Sequence, residues 1–374
     1  MSPRIAALEF IGNSLARDTH AGMIEMLRAR STSGKVSWKW VVWLANQYLV
    51  SPALYGALRD KGLLDALPDD LCRYLTKLHQ LNSARNQRLK DQTCEAIGAL
   101  NGVGIEPLLL KGAAHLFTDT FQDPGARVMT DLDLLVPEGK FANALATLRR
   151  LSYRSDAPAY QHYGRFHHAP PLFRPGDYGT LELHRHPLPA HLAQLLPNQA
   201  LWSDAEVLED KGLRLRILGP TSRVLLNVIH SQILDRHHAE RIIELRQLHD
   251  FVVTCHAHQD QVDWVVIAKP LQQHGKGPVL DAYLYLAHRL FAMALPDGRQ
   301  PTRAAIIHYR RALRQLRWLW FALEWIPRFG RFGHALSADA IRGRYGDDGR
   351  LGAITRGRLQ FLAYMLKKHR LKET

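Results

Sequence analysis

The chain has 374 residues, enough for two or three compact regions, and its 46% apolar and 22% charged content is typical of a folded globular protein. Its three cysteines lie far apart and match neither a disulfide framework nor a zinc pattern, so we expect a reducing, cytoplasmic location. We find no secretion signal, and no run of about 18 uncharged apolar residues that would form a transmembrane segment. Secreted, disulfide-rich and membrane-spanning classes are therefore not expected.

The net charge of +14 is concentrated in residues 299–374, which hold 17 Lys/Arg and 5 Asp/Glu, a net of +12. We expect this basic C-terminal region to be helical, with arginines alternating with aromatic residues. Such a region can bind an anionic partner, which could be nucleic acid, lipid or an acidic protein. The alternative is a solvated basic face over a tryptophan core.

Residues 1–102 are expected to form an N-terminal helical region, because their apolar residues recur at three- and four-residue spacing. Residues 41–58 within it are interpreted as two packed helices. The sequence Pro-Asp-Asp at residues 68–70 favours the start of a long helix, and the Asn and Gly residues of 101–104 favour its end.

A small α/β core is expected over residues 103–190. The apolar run "IEPLLLKG" predicts a buried strand that ends at Lys111 and Gly112, followed by a helical piece to about Phe121. The run "RVMTDLDLLVP" predicts a second strand, "EGKFANALATLRRLSY" an amphipathic helix, and "GTLELHRH" a third strand. The predicted fold class is therefore α+β, with a small sheet embedded between helical regions.

Helices are expected again throughout residues 191–298. The strongly periodic segment 222–253 predicts a long helix, and a further pair is predicted over roughly 279–295 and 302–326. A last basic amphipathic helix is predicted to end near His369.

Asp131 and Asp133 are expected on one face of the second strand, because side chains two residues apart in a strand point the same way. Two adjacent carboxylates repel, and beside a hydrophobic layer one is driven towards its protonated form unless a cation compensates. Mg²⁺ prefers oxygen ligands and is usually held by one or two carboxylates together with substrate phosphates. The alternative is a strand end at the surface, with both aspartates in water.

A third acidic ligand would complete a two-metal phosphoryl-transfer site. In "TLELH", Glu182 alternates with leucines, so we expect it on the polar face of the third strand together with His184. We predict that Glu182 joins Asp131 and Asp133 as a metal ligand and that His184 orients a carboxylate. The alternative is a two-faced strand with Glu182 in solvent.

A bound triphosphate also needs positive charge and close approach of the backbone. Gly112 follows Lys111 at a strand end, where a glycine allows backbone amides to face a phosphate. The planar fork of Arg127 suits phosphate oxygens. We therefore predict Lys111, Gly112 and Arg127 as substrate-binding residues, although such residues are more often simply solvated.

The series "LLLKGAA", "DPGARVMTDLDLLV" and "LELH" resembles the nucleotidyltransferase superfamily that includes DNA polymerase β. Within it, the chain is similar to poorly characterised bacterial nucleotidyltransferase family proteins, over roughly residues 45–275. The resemblance implies a mixed-sheet core with Asp131, Asp133 and Glu182 as metal ligands and with Lys111 and Gly112 beside the triphosphate. The chain has Gly-Ala where the wider superfamily has Gly-Gly or Gly-Ser, so a serine contact to phosphate is absent.

The resulting hypothesis is an enzyme that uses Mg²⁺ (or Mn²⁺) to transfer an NMP from an NTP, with ATP expected, to an acceptor hydroxyl, with release of pyrophosphate. The acceptor is left open between a peptide, a protein, a sugar and RNA. One alternative is a non-catalytic nucleotide- or nucleic-acid-binding adaptor of the same fold. Another is a metal-dependent hydrolase or phosphotransferase that uses the same carboxylates.

The remaining histidines lack the converging ligands of a zinc site, so structural hydrogen bonding is expected for them. An adenine-side or acceptor-side role is the alternative for two residues, His230 and Asp250. Structural hydrogen bonding is also the role expected for two pairs of adjacent histidines, His167–His168 and His237–His238.

Overall fold

The computed structural model describes residues 2–155 and 167–318, and its N-terminal part is helical, as predicted. The fifth helix is the longest, with 33 residues. It begins directly after Pro68, has two aspartates in its first turn, and ends before Gly102, which agrees with the expected boundaries. The five helices are α1 (Pro3–Leu15), α2 (Ala21–Thr32), α3 (Trp38–Gln47), α4 (Ser51–Asp60) and α5 (Asp69–Asn101).

Five strands form one mixed sheet in the described residues, which confirms the α+β prediction. The strands are β1 (Leu108–Leu110), β2 (Asp131–Leu135), β3 (Thr180–His184), β4 (Glu206–Asp210) and β5 (Leu213–Ile217). Their order is β3-β2-β1-β5-β4. Strand β1 pairs antiparallel with β2 and parallel with β5, while β2 and β3 are parallel and β4 and β5 antiparallel. The first three strands lie where the sequence predicted them.

The hairpin of β4 and β5 contradicts the expectation that residues 191–298 are entirely helical. Lys211 and Gly212 form its turn with φ angles of 51° and 82°, the positive values that a two-residue turn of this kind requires. The hairpin joins the sheet beside β1, so the sheet continues beyond residue 190. The division of the chain into four regions stays a prediction.

The two faces of the sheet pack against different parts of the chain. Leu109, Leu132 and Leu134 lie on one face, in a core shared with the C-terminal half of α5 and with α7 (Phe141–Arg150). Leu110 and Leu135 lie on the other face and belong to a larger core built mainly from helices. Because residues alternate along β2, Asp133 lies on this second face, under the helical part of the molecule.

Short helices and a helical C-terminal part complete the described structure. They are α6 (Lys111–His115), α8 (Asn198–Asp204), α9 (Pro220–Val228), α10 (His237–Glu240), α11 (Leu245–Ala257), α12 (Trp264–Gln273), α13 (Gly277–Phe291) and α14 (Arg303–Trp318). None of the helices in residues 2–155 and 167–318 combines the length and apolar character needed to cross a membrane.

Two predicted helices are shorter than expected. The helix predicted to reach Phe121 ends at His115. The long helix predicted over residues 222–253 is divided, because Arg236 and Arg241 adopt left-handed φ angles of 64° and 56°. The pair predicted over 279–295 and 302–326 corresponds to α13 and α14, and α14 is described as far as Trp318. The rest of the basic region, with the last helix predicted to end near His369, lies outside the described residues.

The contact between α1 and α13 depends on Gly12. A Cβ atom added at this position would lie 2.5 Å from the backbone oxygen of Leu290. We expect Gly12→Ala to lower the free energy of unfolding by about 1–3 kcal/mol, because overpacking at backbone cannot be relieved by a rotamer change. Chemical denaturation would measure the change.

Gly98→Ala is the matched control, because its added Cβ would contact only the Leu213 side chain, at 3.4 Å. This control should leave stability unchanged or raise it by up to about 1 kcal/mol, the usual gain of alanine over glycine inside a helix. Equal effects of the two substitutions would contradict the close packing of α1 on α13.

Candidate active site

Three potential metal-ligand side chains converge on the second sheet face. Asp133 of β2 is paired in register with Glu182 of β3, and His184 follows two residues later on the same face. One ligand atom from each lies within 4.8 Å of the others. The Nε2 atom of His184 lies 2.9 Å from Oδ1 of Asp133 and 3.7 Å from Oε2 of Glu182. The parallel pairing of β2 with β3 is what brings together residues about 50 positions apart.

Lys111 reaches the same carboxylate from the end of β1. Its backbone has a left-handed φ of 46°, a conformation that residues other than glycine rarely adopt. The Nζ atom donates a hydrogen bond of 2.7 Å to Oδ1 of Asp133. Strained backbone of this kind is often found at functional sites, where the surrounding structure holds it in place.

The cluster of Lys111, Asp133, Glu182 and His184 is balanced in charge. Burial alone would raise the pKa of the Asp133 carboxyl group, which is 1% exposed, but Lys111 and His184 lower it well below its ordinary value. Burial would lower the pKa of Lys111 and of His184, yet their contacts with Asp133 raise both. Burial would raise the pKa of Glu182, but the neighbouring positive and donor groups, His184 first and then His168 and Lys111, together lower it. The buried Asp133 carboxylate is therefore compensated by the Lys111 ammonium and by the hydrogen bond from His184.

Residues 34–292 match the sequence profile of a family described as "Uncharacterised nucleotidyltransferase". The matched range includes the whole sheet and the cluster. The chain belongs to this nucleotidyltransferase family. It is also similar to the crystal structure of an antigenic nucleotidyltransferase-like protein from Paracoccidioides brasiliensis, with 18% identity over 55% of this chain and 98% of that chain. The TM-score is 0.33, too low to carry any argument. No curated protein matches the sequence.

Asp131 lies on the same strand face as Asp133 but outside the converging group of three. It is half-buried, and its carboxylate accepts a hydrogen bond of 3.2 Å from the hydroxyl of Thr130. Its role as a metal ligand stays a prediction.

Arg127 faces a different partner from the one expected. It is 9% exposed, and its Nε and Nη2 atoms donate to Asp250 of α11 at 3.0 and 2.7 Å. Gly112 makes room for this arginine, because an added Cβ would lie 2.4 Å from Nη1 of Arg127. The glycine therefore has a packing role that the sequence did not indicate, and the predicted phosphate contacts of both residues stay predictions.

The sequence favours structural hydrogen bonding for the histidines that surround the cluster, with an adenine-side or acceptor-side role as the alternative for His230. The rings of His167 and His168 lie 5.7 and 5.1 Å from that of His184, and burial lowers the pKa of both. His230 lies 3.1 Å from Asp235, in a single π-helical turn (Ile229–Leu234) that follows α9. Adjacent histidines near a predicted strand were a weak signal for the first pair. No local sequence pattern indicates the contact of His230 with Asp235.

The buried Arg127–Asp250 pair predicts a large effect on stability. We expect Asp250→Asn to lower the free energy of unfolding by about 3–5 kcal/mol, because it leaves a buried guanidinium without a counter-charge. The control, Glu209→Gln, removes an exposed partner of Arg214 and should cost less than about 1 kcal/mol. Chemical denaturation of both variants measures the difference, and a small loss in Asp250→Asn would contradict the pairing.

Proposed function

We propose that the protein is a metal-dependent nucleotidyltransferase that moves an NMP from an NTP to an acceptor hydroxyl and releases pyrophosphate. The observation that carries the proposal is the buried convergence of Asp133, Glu182 and His184 in a chain of a nucleotidyltransferase family. ATP is the expected nucleotide, and a peptide, protein, sugar or RNA end would each offer a suitable hydroxyl. A cytoplasmic location and membership of the DNA polymerase β-like superfamily are parts of the same proposal.

The residues present fit a divalent cation. Two carboxylates and an imidazole lie close enough to share one ion, and carboxylate oxygens are the ligands that Mg²⁺ and Mn²⁺ prefer. Asp133 and Glu182 would hold the ion, with Asp131 as a further ligand from the same face. The bound ions would neutralise charge on the phosphates and make the acceptor hydroxyl easier to deprotonate.

His184 is better suited to orienting Asp133 than to binding the ion. Burial would lower the pKa of its ring, but the contacts with Asp133 and Glu182 raise it, and Nε2 lies 2.9 Å from the Asp133 carboxylate as a hydrogen-bond donor. A direct ligand role would require this proton to be lost. The hydrogen bond from Nε2 instead fixes the carboxylate of Asp133 at the centre of the site.

Lys111 has two roles in this proposal. Without a divalent cation, its ammonium group compensates the buried charge of Asp133. With metal ions bound to the carboxylates, the ammonium would no longer be needed to compensate Asp133. It would then be placed to neutralise the triphosphate. Catalysis then rests on positioning and charge stabilisation by the chain's own side chains.

One observation favours the adaptor hypothesis as the second candidate. The Lys111 ammonium occupies a cation position beside Asp133, so the folded chain compensates this carboxylate without a metal ion. A non-catalytic descendant of the fold could retain this internal ion pair for stability. In that case nucleotide or nucleic acid would bind without being turned over.

Pyrophosphate release and transfer of labelled NMP test the proposal. Each of the four NTPs is supplied with Mg²⁺ or Mn²⁺ and a total cell extract as the source of acceptor. We expect Asp133→Asn and Glu182→Gln to lower the rate at least about 100-fold, because each removes a negatively charged ligand from the ion that would neutralise the reacting phosphates. Glu206→Gln, an exposed carboxylate on β4, is the matched control and should keep full activity.

Circular dichroism would establish that the variants are folded. Metal-dependent NTP binding without any turnover would favour the adaptor. Turnover that survives both site substitutions would contradict the proposed site.

A further inference from the structure

A small cavity with both polar and apolar walls lies beside the cluster, between α6, α9 and α11. Its volume is about 40 Å³. This volume holds about three water-sized groups. The free oxygens of one phosphate group need about the same space. Its walls include Lys111, His115, Arg223, Asn227, His230 and Asp250. Lys111 belongs to both the cavity and the cluster, so the two spaces adjoin.

Arg223 of α9 brings a positive charge to this cavity without an acidic partner. Its Nη2 atom donates to the hydroxyl of Thr120 at 2.8 Å and to Nδ1 of His115 at 3.1 Å. Burial first, and then the charge of Arg223, lower the pKa of His115 well below its ordinary value, so this ring is neutral. Within residues 2–155 and 167–318, no carboxylate lies within ion-pair distance of Arg223.

The other charged groups of the cavity wall are already compensated. The charge of Asp250 is compensated by its bidentate ion pair with Arg127, and the charge of Lys111 by Asp133. Asp235 lies against His230. Burial lowers the pKa of Arg223 only to about 10, so its guanidinium is charged at neutral pH. The hydrogen-bond partners of Arg223 are neutral, and Asp250 acts on its pKa only from beyond ion-pair distance, so a bound anion would complete its compensation.

We propose that this cavity is a phosphate-binding subsite, in which Arg223 holds a phosphate group and Lys111 contacts it from the side of the cluster. The proposal deepens the proposed function, because the natural source of the group is the terminal phosphate of the NTP. A phosphate carried by the acceptor, or free inorganic phosphate, has the same chemistry. Arg223 thus supplies the phosphate-facing arginine that the sequence suggested at Arg127.

Calorimetric titration of inorganic phosphate into the full chain, without NTP or metal, tests the subsite. We expect a single site in the wild type that is weakened about 10- to 100-fold in Arg223→Gln, because hydrogen bonds to a charged group contribute about 1.5–3 kcal/mol. Arg214→Gln is the matched control, since Arg214 lies exposed on β5 and pairs with Glu106 and Glu209. Its affinity for phosphate should equal that of the wild type.

Arg223→Lys covers the case in which Arg223→Gln fails to fold. It keeps the charge but loses the planar fork, so we expect binding several-fold weaker than in the wild type. Absence of phosphate binding to the wild type would overturn the proposal. So would unchanged affinity in a folded Arg223→Gln or, where that variant is unfolded, in Arg223→Lys.

Adding NTP to the phosphate complex separates the possible sources. Competition identifies the subsite with the terminal phosphate of the NTP, whereas simultaneous binding identifies it with the acceptor or with free phosphate. Because the titration needs neither metal nor turnover, it can succeed where the transferase proposal fails. Equally, Asp133-dependent nucleotidyl transfer by a wild type that binds no phosphate in the titration would leave the transferase intact and overturn the subsite.

Discussion

The buried carboxylate of Asp133 needs a compensating positive charge, and much of the surrounding structure is arranged to provide it. A carboxylate that is 1% exposed is stable in its ionised form only when cations and hydrogen-bond donors replace the lost water. Lys111, which follows β1 directly, and His184 of β3 do this. The same requirement makes the cluster suited to a metal ion, because carboxylates that are compensated by one cation can exchange it for another.

The topology explains why the charges meet under the helical part of the molecule. Strand β1 delivers Lys111 from its end, β2 delivers Asp133, and the parallel partner β3 delivers Glu182 and His184. Helices α9 and α11 then cover this sheet face and bring the second layer of polar residues, including Arg223 and Asp250. The sheet thus supplies the carboxylates, and the helices close a phosphate-sized space beside them.

The sequence predicted the local parts of this arrangement and could not predict the distant ones. Strand alternation was enough to place Asp133 and Glu182 on polar faces, because the period of two is strong in both segments. The β4–β5 hairpin was missed because its strands carry many charges, although the alternation "LRLRI" after Lys-Gly was a usable signal. The contact of Arg127 with Asp250 joins residues 123 positions apart, and only tertiary packing determines it.

Titration with Mn²⁺, followed by the loss of its free EPR signal, tests the central claim most directly, since it needs neither the nucleotide nor the acceptor. The account predicts saturable binding to the wild type and to Glu206→Gln. Binding should weaken at least about 10-fold in Glu182→Gln, where an ionised ligand is replaced by a neutral amide. No binding to the wild type, or equal binding to Glu182→Gln, would contradict a metal site built on Asp133 and Glu182.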